Sequence, residues 1–442
     1  MFGSGVGAGV LALALVLVCA ARGPTDAVDR PMLLSAGVAG VPGHRTTLAP
    51  DSTAAFVPGT SLIDGAAPLP AAGFPADVPT GAAAVAAARS WLAAGRVPGR
   101  TDLERAVAAR ALSDLALLTA PDGAAVAGPF GSWDLVWPRD ASWYVAAFSA
   151  TGHVPEAVAI LGFLARTQNP DGTWAVRYHA DGRPVRDGRP AQLDAVGWFG
   201  WAVWSAWRAG AGEAATRMWP AVVRATDFAA AALGPDGLPR PAADYWERPE
   251  RRPTLGTAAP LLLGLRAAAD LATARGARAQ ADRWTAGAKR LSRAIVERFG
   301  AYGYGRHPDD GRPDAAVAFL SAPLARLGPQ DGVAAALAAG ERALLMPSGG
   351  LRPGVDPRIG NVAWTAETAL FALADFGDDV RFEHWFGWLV AHRTRLEELP
   401  EKVTDAGQPA SVAPLGWTDA IVLLALAARD GRMPTPPAPD LG

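Results

Sequence analysis

One cysteine in 442 residues, Cys19, leaves no partner for an intrachain disulfide and no zinc site of the CxxC type. A surplus of charge is missing too: 41 Lys and Arg stand against 43 Asp and Glu, a net charge of -2. Without a basic stripe to neutralise phosphates, no nucleic acid partner is expected. Histidine is scarce at six, and the chain has no HExxH, GxSxG, GxxxxGKS/T, GxGxxG or DDxxD cluster. Metal-dependent, serine-nucleophile and nucleotide-binding chemistries therefore have no motif here, and neither a metal nor a cofactor is expected. Strand-like alternation nearly vanishes after Ala82. What is abundant is apolar content, 50%, which suffices for an extensive core.

The N-terminal run Gly5 to Ala21, with "VLALALVLVCAA" at its centre, is uncharged and ends on small residues before Arg22. It reads as a signal peptide or N-terminal membrane anchor over 1–24, so the protein is expected to be exported, either secreted or attached to the outer face of the membrane. No Lys or Arg precedes the run, and Val18 is large for a lipoprotein cleavage site at Cys19. Residues 25–85 are rich in Pro and Ala without helical period and predict a linker or surface strap. Residues 86–430 form the main domain and 431–442 a Pro-rich tail.

After Arg100 the apolar recurrence predicts about twelve helices, starting near Asp102, Asp140, Pro155, Asp194, Glu213, Leu255, Ala279, Asp314, Gly332, Val362, Asp379 and Thr418. Pro220, Pro260 and Pro323 fall inside three of them. The connections alternate in length. Short ones such as "ATGH" and "FGDD" suit antiparallel neighbours. Six long ones, from "PFGSWDLVWPRD" to "LEELPEKVTDAGQPASVAPLGW", each precede an even-numbered helix. Most of those even helices, such as "AVGWFGWAVWSAW" and "AIVLLALAA", are apolar nearly all round and so belong inside, while the odd ones carry charge on one face. Two concentric rings follow, an all-α fold of (α/α)6 barrel type with six helical hairpins and all long loops at one rim. A helical solenoid would show loop alternation as well, but no fixed-period repeat supports it.

The long loops hold unusual residues. Sixteen tryptophans are present, and an indole offers a flat face to a sugar ring while its N–H finds a partner. Trp198 to Trp207 are spaced as core, whereas Trp137, Trp174 and Trp246 stand beside charged groups in loops. Arg139 and Asp140 open a helix after Pro138; Asp140 could cap it, or the pair could present donors and acceptors to hydroxyls. "RYH" (Arg177, Tyr178, His179) and "GRHPDD" (Arg306 and His307 within it) have the same variety. Glycosidic hydrolysis needs a protonated carboxyl and a second carboxylate. Glu247 follows Trp246, whose indole could desolvate it and favour its protonated form. Glu401 lies in the last long loop beside Lys402, which would keep it ionised.

In order, "WPRD", "RYHADGRP" with "QLD", "DYWE", "GRHPDD", and "LPEKV" with "APLGW" resemble the motif set of the glucoamylase-type glycoside hydrolases, family 15, from about Gly131 to Ala427. The resemblance implies the same barrel and an inverting hydrolase that releases glucose from the non-reducing end of an α-linked oligosaccharide or glucoside. It implies Glu247 as general acid and Glu401 as general base, with the carboxyls roughly 6.5 to 9.5 Å apart. Trp137, Arg139 and Asp140 would line the subsite of the terminal glucose, Arg177 and His179 would border it, and Arg306 and His307 would approach the leaving group. Trp174, Trp246 and Trp417 complete the expected substrate-binding set. Two positions depart from the family pattern: Arg248 stands where a second Glu follows the acid, and Lys402 where a Gln follows the base. A non-catalytic sugar-binding barrel and an inverting disaccharide phosphorylase are the alternatives.

Overall fold

The computed structural model describes residues 32–65, 81–327, 330–356 and 359–438. The N-terminal apolar run and Cys19 lie outside the described residues. Twelve α-helices are present among those described: α1 Gly81–Ala94, α2 Asp102–Leu118, α3 Pro138–Thr151, α4 Val154–Thr167, α5 Asp194–Arg208, α6 Gly212–Ala231, α7 Leu255–Ala274, α8 Arg278–Ala294, α9 Gln330–Leu344, α10 Thr365–Ala374, α11 Asp379–Ala391 and α12 Gly416–Arg429.

Sequence signals explain several of the starts. Thr101 and Glu104 close a capping box on α2. Pro138 occupies the first turn of α3, where its missing N–H is no loss. Asp378 caps α11 by accepting from the N–H groups of Val380 and Arg381.

Around the axis, α3, α5, α7, a 3-10 segment Ala315–Leu320, α10 and α12 touch in chain order, and α12 closes on α3. These elements are buried on nearly every side, as α7 and α12 show most fully. The outer ring consists of α4, α6, α8, α9, α11 and α2, each packed chiefly on one inner element, with α4 and α6 also reaching the next. In α8 the buried positions Ala281, Trp284, Ala288 and Leu291 keep the helical period, and the charged face turns outward. The chain therefore has the (α/α)6 barrel that loop alternation predicts.

Three differences have local causes. The helix predicted from Asp314 is only the 3-10 segment: Asp314 caps it by accepting from Ala316 N–H, and the chain leaves it in extended conformation at Ser321, before Pro323. The helix predicted from Val362 begins at Thr365, because β3 (Val362–Trp364) pairs with β4 (Lys402–Thr404), which pairs with β5 (Pro409–Ala410). Strands this short leave no alternation to read. Helix α1 lies outside the twelve starts and packs on α2. As predicted, Pro220 lies inside α6 and Pro260 inside α7.

The tightest inner contact, between α5 and α7, depends on two glycines. A Cβ on Gly197 would sit 2.1 Å from the Pro260 carbonyl oxygen, and one on Gly264 would sit 2.5 Å from that of Gly197. Gly264→Ala is expected to destabilise the fold by about 3 kcal/mol in denaturant unfolding, because two packed backbones must separate. A loss below about 0.5 kcal/mol would show that the barrel adjusts there freely.

Residues 32–65 lie against the last long loop. The hairpin of β1 (Gly37–Val41) and β2 (His44–Leu48) buries Ala36, Ala39 and Leu48 against Leu396. Ser35 Oγ donates to Ala413 O at 2.8 Å, Leu34 N–H to Ser411 O at 2.6 Å, and Thr394 Oγ1 to Ala36 O at 2.6 Å. That loop, so braced, carries Glu401.

Candidate active site

All six long loops meet at one end of the barrel around a cleft of about 940 Å³. It is lined from the first loop by Trp133 and Trp137, from the second by Arg177 and Arg189, and from the third by Tyr245 to Arg252. The fourth supplies Arg306 to Pro313 in part, the fifth Asp356 and Trp364, and the sixth Glu401, Lys402 and Trp417. The third and sixth loops precede α7 and α12, three places apart in a ring of six. Glu247 and Glu401 therefore enter the cleft from opposite sides.

Glu247 sits in the left-handed region with φ 58°, in a turn where its N–H donates to Asp244 O at 2.8 Å. A non-glycine residue there costs about 1–2 kcal/mol, a strain the surrounding loop sustains. Trp137 Nε1 donates to Glu247 Oε1, Arg139 Nη2 lies 3.7 Å from the same oxygen, and Arg189 forms an ion pair with Oε2. The indole at this carboxyl thus belongs to Trp137. Trp246 instead lies under Arg306, whose guanidinium is 3.8 Å from the ring centroid. Arg248 is directed to Asp356, at 3.8 Å, so the guanidiniums beside Glu247 come from other loops.

Glu401 ends the approach to β4 with its N–H bonded to Val412 O at 2.8 Å. Its Oε2 accepts from Ser411 Oγ and lies 3.7 Å from the buried Lys402 Nζ, which sits 4.5 Å from the Trp364 ring centroid. A carboxylate held by a hydroxyl and an ammonium, with its side chain facing the cleft, is suited to orient a water.

Between the two lies a floor of mixed polarity. Arg139 donates to Gln192 at 3.1 Å and Asp194 at 3.4 Å, approaches Asp140 at 3.2 Å, and lies 5.1 Å from the Trp417 ring centroid. Burial pushes Asp194 up to about 6 against the pull of Arg139, and it raises Asp140 likewise. Asp140 Oδ2 and the indole N–H groups of Trp246 and Trp417 have no hydrogen bond among the described residues. Sugar hydroxyls need both kinds of group. Arg306 donates to Asp314 at 2.8 Å, Asp244 at 2.9 Å and Glu250 at 2.8 Å, while His307 Nε2 meets Glu250 at 3.0 Å. Burial would raise Glu250, but the His307 hydrogen bond and Arg306 outweigh it and hold the carboxyl below its usual range.

Ten of the twelve predicted site residues line this cleft: Trp137, Arg139, Asp140, Arg177, Trp246, Glu247, Arg306, His307, Glu401 and Trp417. Two do not. Trp174 is 4% exposed, donates to Leu164 O at 2.8 Å and packs on Phe199 behind the second loop, so its indole is a core group. His179 is exposed in the turn that its backbone closes with Arg183. Arg189, Glu250 and Tyr245 were not among the predictions.

Nor was Glu367, in the first turn of α10 and 1% exposed. Burial pushes it up to about 8, and the nearby Glu401 and Asp314 act in the same direction. Below pH 4.5 the folded and unfolded chains both keep this proton. Between 4.5 and about 8 the unfolded chain releases it and the folded one does not, so stability falls as pH rises. Glu367→Gln is expected to raise the thermal midpoint progressively from pH 5 to 8; an equal midpoint difference at both ends would contradict this.

No family model matches the chain. An uncharacterised glycosyl hydrolase of Methanocaldococcus jannaschii is 25% identical over 346 residues, 71% of this chain and 54% of that protein. The chain thus spans about half the length of the curated relative it matches. Among solved structures, a wild-type glycosidase aligns with a TM-score of 0.64 at 22% identity over 76% of this chain and 100% of its own. A bacterial glucoamylase complexed with acarbose aligns with a TM-score of 0.65 at 17% identity over 80% and 59%. The glucoamylase of Saccharomycopsis fibuligera gives 0.60 at 13% identity over 76% and 97%. With a glycosyl hydrolase as its sequence relative and glucoamylases as its structural neighbours, the chain has the glucoamylase-type (α/α)6 fold.

Proposed function

We propose that the protein is an exo-acting, inverting glycoside hydrolase that releases glucose from the non-reducing end of α-glucosides or α-linked oligosaccharides. The observation that carries this reading is the placement of Glu247 and Glu401 on opposite loops of one cleft, with Arg139, Asp140 and Trp417 between them. Glu401 takes a proton from a water whose oxygen bonds to C1, the C1–O glycosidic bond breaks, and Glu247 gives its proton to the departing oxygen. For that transfer Glu247 must part from Arg189, so substrate binding is proposed to displace this guanidinium. A variant of the structurally similar glycosidase has been solved in complex with glucose, and the bacterial glucoamylase with acarbose, which supports a glucoside as substrate.

The test is glucose release from maltose, isomaltose, trehalose, panose and soluble starch, with and without phosphate. Phosphate-independent release lost in Glu247→Gln supports the hydrolase. Release only with phosphate would make it a phosphorylase, and saccharide binding without turnover a sugar-binding barrel. The apolar run Gly5 to Ala21 supports the further proposal of export, which cell fractionation tests.

A further inference from the structure

The chain carries a net charge of -2, yet nine arginine and lysine side chains line the cleft against five carboxylates, a surplus of four cations. They are not evenly spread. Arg139 and Arg306 are buried and matched by carboxylates beneath them. Arg248, Arg251 and Arg252 instead follow Glu247 within the segment "ERPERRP", with Arg312 on the neighbouring loop. The departing oxygen takes its proton from Glu247, so side chains just beyond it border the leaving group.

In this sector four guanidiniums stand against two carboxylates that line the cleft, Glu250 and Asp356, the latter 3.8 Å from Arg248. Arg251 is exposed and has no partner among the described residues. Arg252 and Arg312 share Asp310, at 3.4 and 2.6 Å, and Arg252 also reaches Asp309 at 2.7 Å. Asp309 and Asp310 do not line the cleft. Glu250, the carboxylate nearest in sequence, is taken up by Arg306 and His307. A guanidinium has no acceptor to give, whereas a neutral sugar needs both donors and acceptors. Its planar fork matches carboxylate and phosphate oxygens, and a concave wall focuses its field.

We propose that the leaving group of the natural substrate is anionic, an α-glucoside whose aglycone bears a phosphate or carboxylate held by Arg248, Arg251, Arg252 and Arg312. This inference rests on the glucosidase reading above. It also accounts for Arg248 at a position where the resembled family has a carboxylate, since a carboxylate there would repel such a group.

The test uses matched pairs: maltose against maltobionate, α-glucosylglycerol against α-glucosylglycerate, and trehalose against trehalose 6-phosphate, each followed by glucose release. The anionic member of at least one pair is expected to show kcat/KM about tenfold or more above its neutral partner, with the gap narrowing in 0.5 M salt. Preference in the first two pairs names a carboxylate, and in the third a phosphate. Arg251→Ser is expected to shrink the anionic-to-neutral ratio several-fold. Equal or faster hydrolysis of the neutral member in every pair overturns the inference and leaves the glucosidase standing. No glucose from any of the six by folded protein overturns both.

Discussion

Glu401→Gln is expected to lower kcat roughly 10³-fold while KM changes little. Gln keeps the shape of the side chain and an oxygen to accept from Ser411 Oγ, so the loop should hold its course. What it loses is the basicity that takes the proton from water, an interaction made in the transition state alone. Glu247→Gln separates the two roles. An α-glucosyl fluoride leaves without needing a proton, so this variant should hydrolyse the fluoride while failing on maltose-like substrates. Glu401→Gln should fail on both. Steady-state kinetics on the two substrate types, with circular dichroism to verify folding, checks the assignment; equal losses on both substrates in both variants would contradict it.

The second large effect concerns stability. Arg306 is 6% exposed and holds three carboxylates, Asp244 and Glu250 of the third loop and Asp314 at the end of its own. Arg306→Met retains much of the volume over Trp246 but leaves those acids without their cation. Breaking a buried ion pair on one side costs about 3–5 kcal/mol, because the remaining charge is desolvated and unpaired. The variant should therefore unfold at lower denaturant by that amount, with the deficit easing at acid pH as the carboxyls protonate. Arg306→Lys, one ammonium in place of a fork, should fall between. A loss below about 1 kcal/mol would mean that the acids find other partners.

The barrel was legible because its inner helices have no polar face. α7 and α12 can be nowhere but inside, and the alternation of short and long connections then orders the rings. The 3-10 segment Ala315–Leu320 escaped that reading, since six apolar residues look alike in a 3-10 turn and an α-helix. Within the site, motif order located Glu247 and Glu401, but partners set by tertiary placement stayed hidden. The tetrapeptide DGRP occurs three times, at 181–184, 187–190 and 310–313. The first forms an exposed turn, the second delivers Arg189 to Glu247, and the third places Arg312 at the rim. Identical local sequence carries no sign of these different ends. Trp174 misled for the opposite reason: a tryptophan between charged loop residues invites a binding role, yet its N–H is spent on Leu164 O. Glu367 shows in the sequence only as one acid in an apolar helix, and its position beside Glu401 emerges when β3 and β4 bring the fifth and sixth loops together.

The most direct test of the account is the anomeric form of the first glucose released, followed by proton NMR from a hydrolysed α-glucoside before mutarotation. Carboxyls entering from opposite sides of the cleft, one activating water and one protonating the leaving oxygen, require inversion, so β-glucose should appear first. Initial release of α-glucose would mean a covalent intermediate and retention, and would contradict the roles given to Glu247 and Glu401.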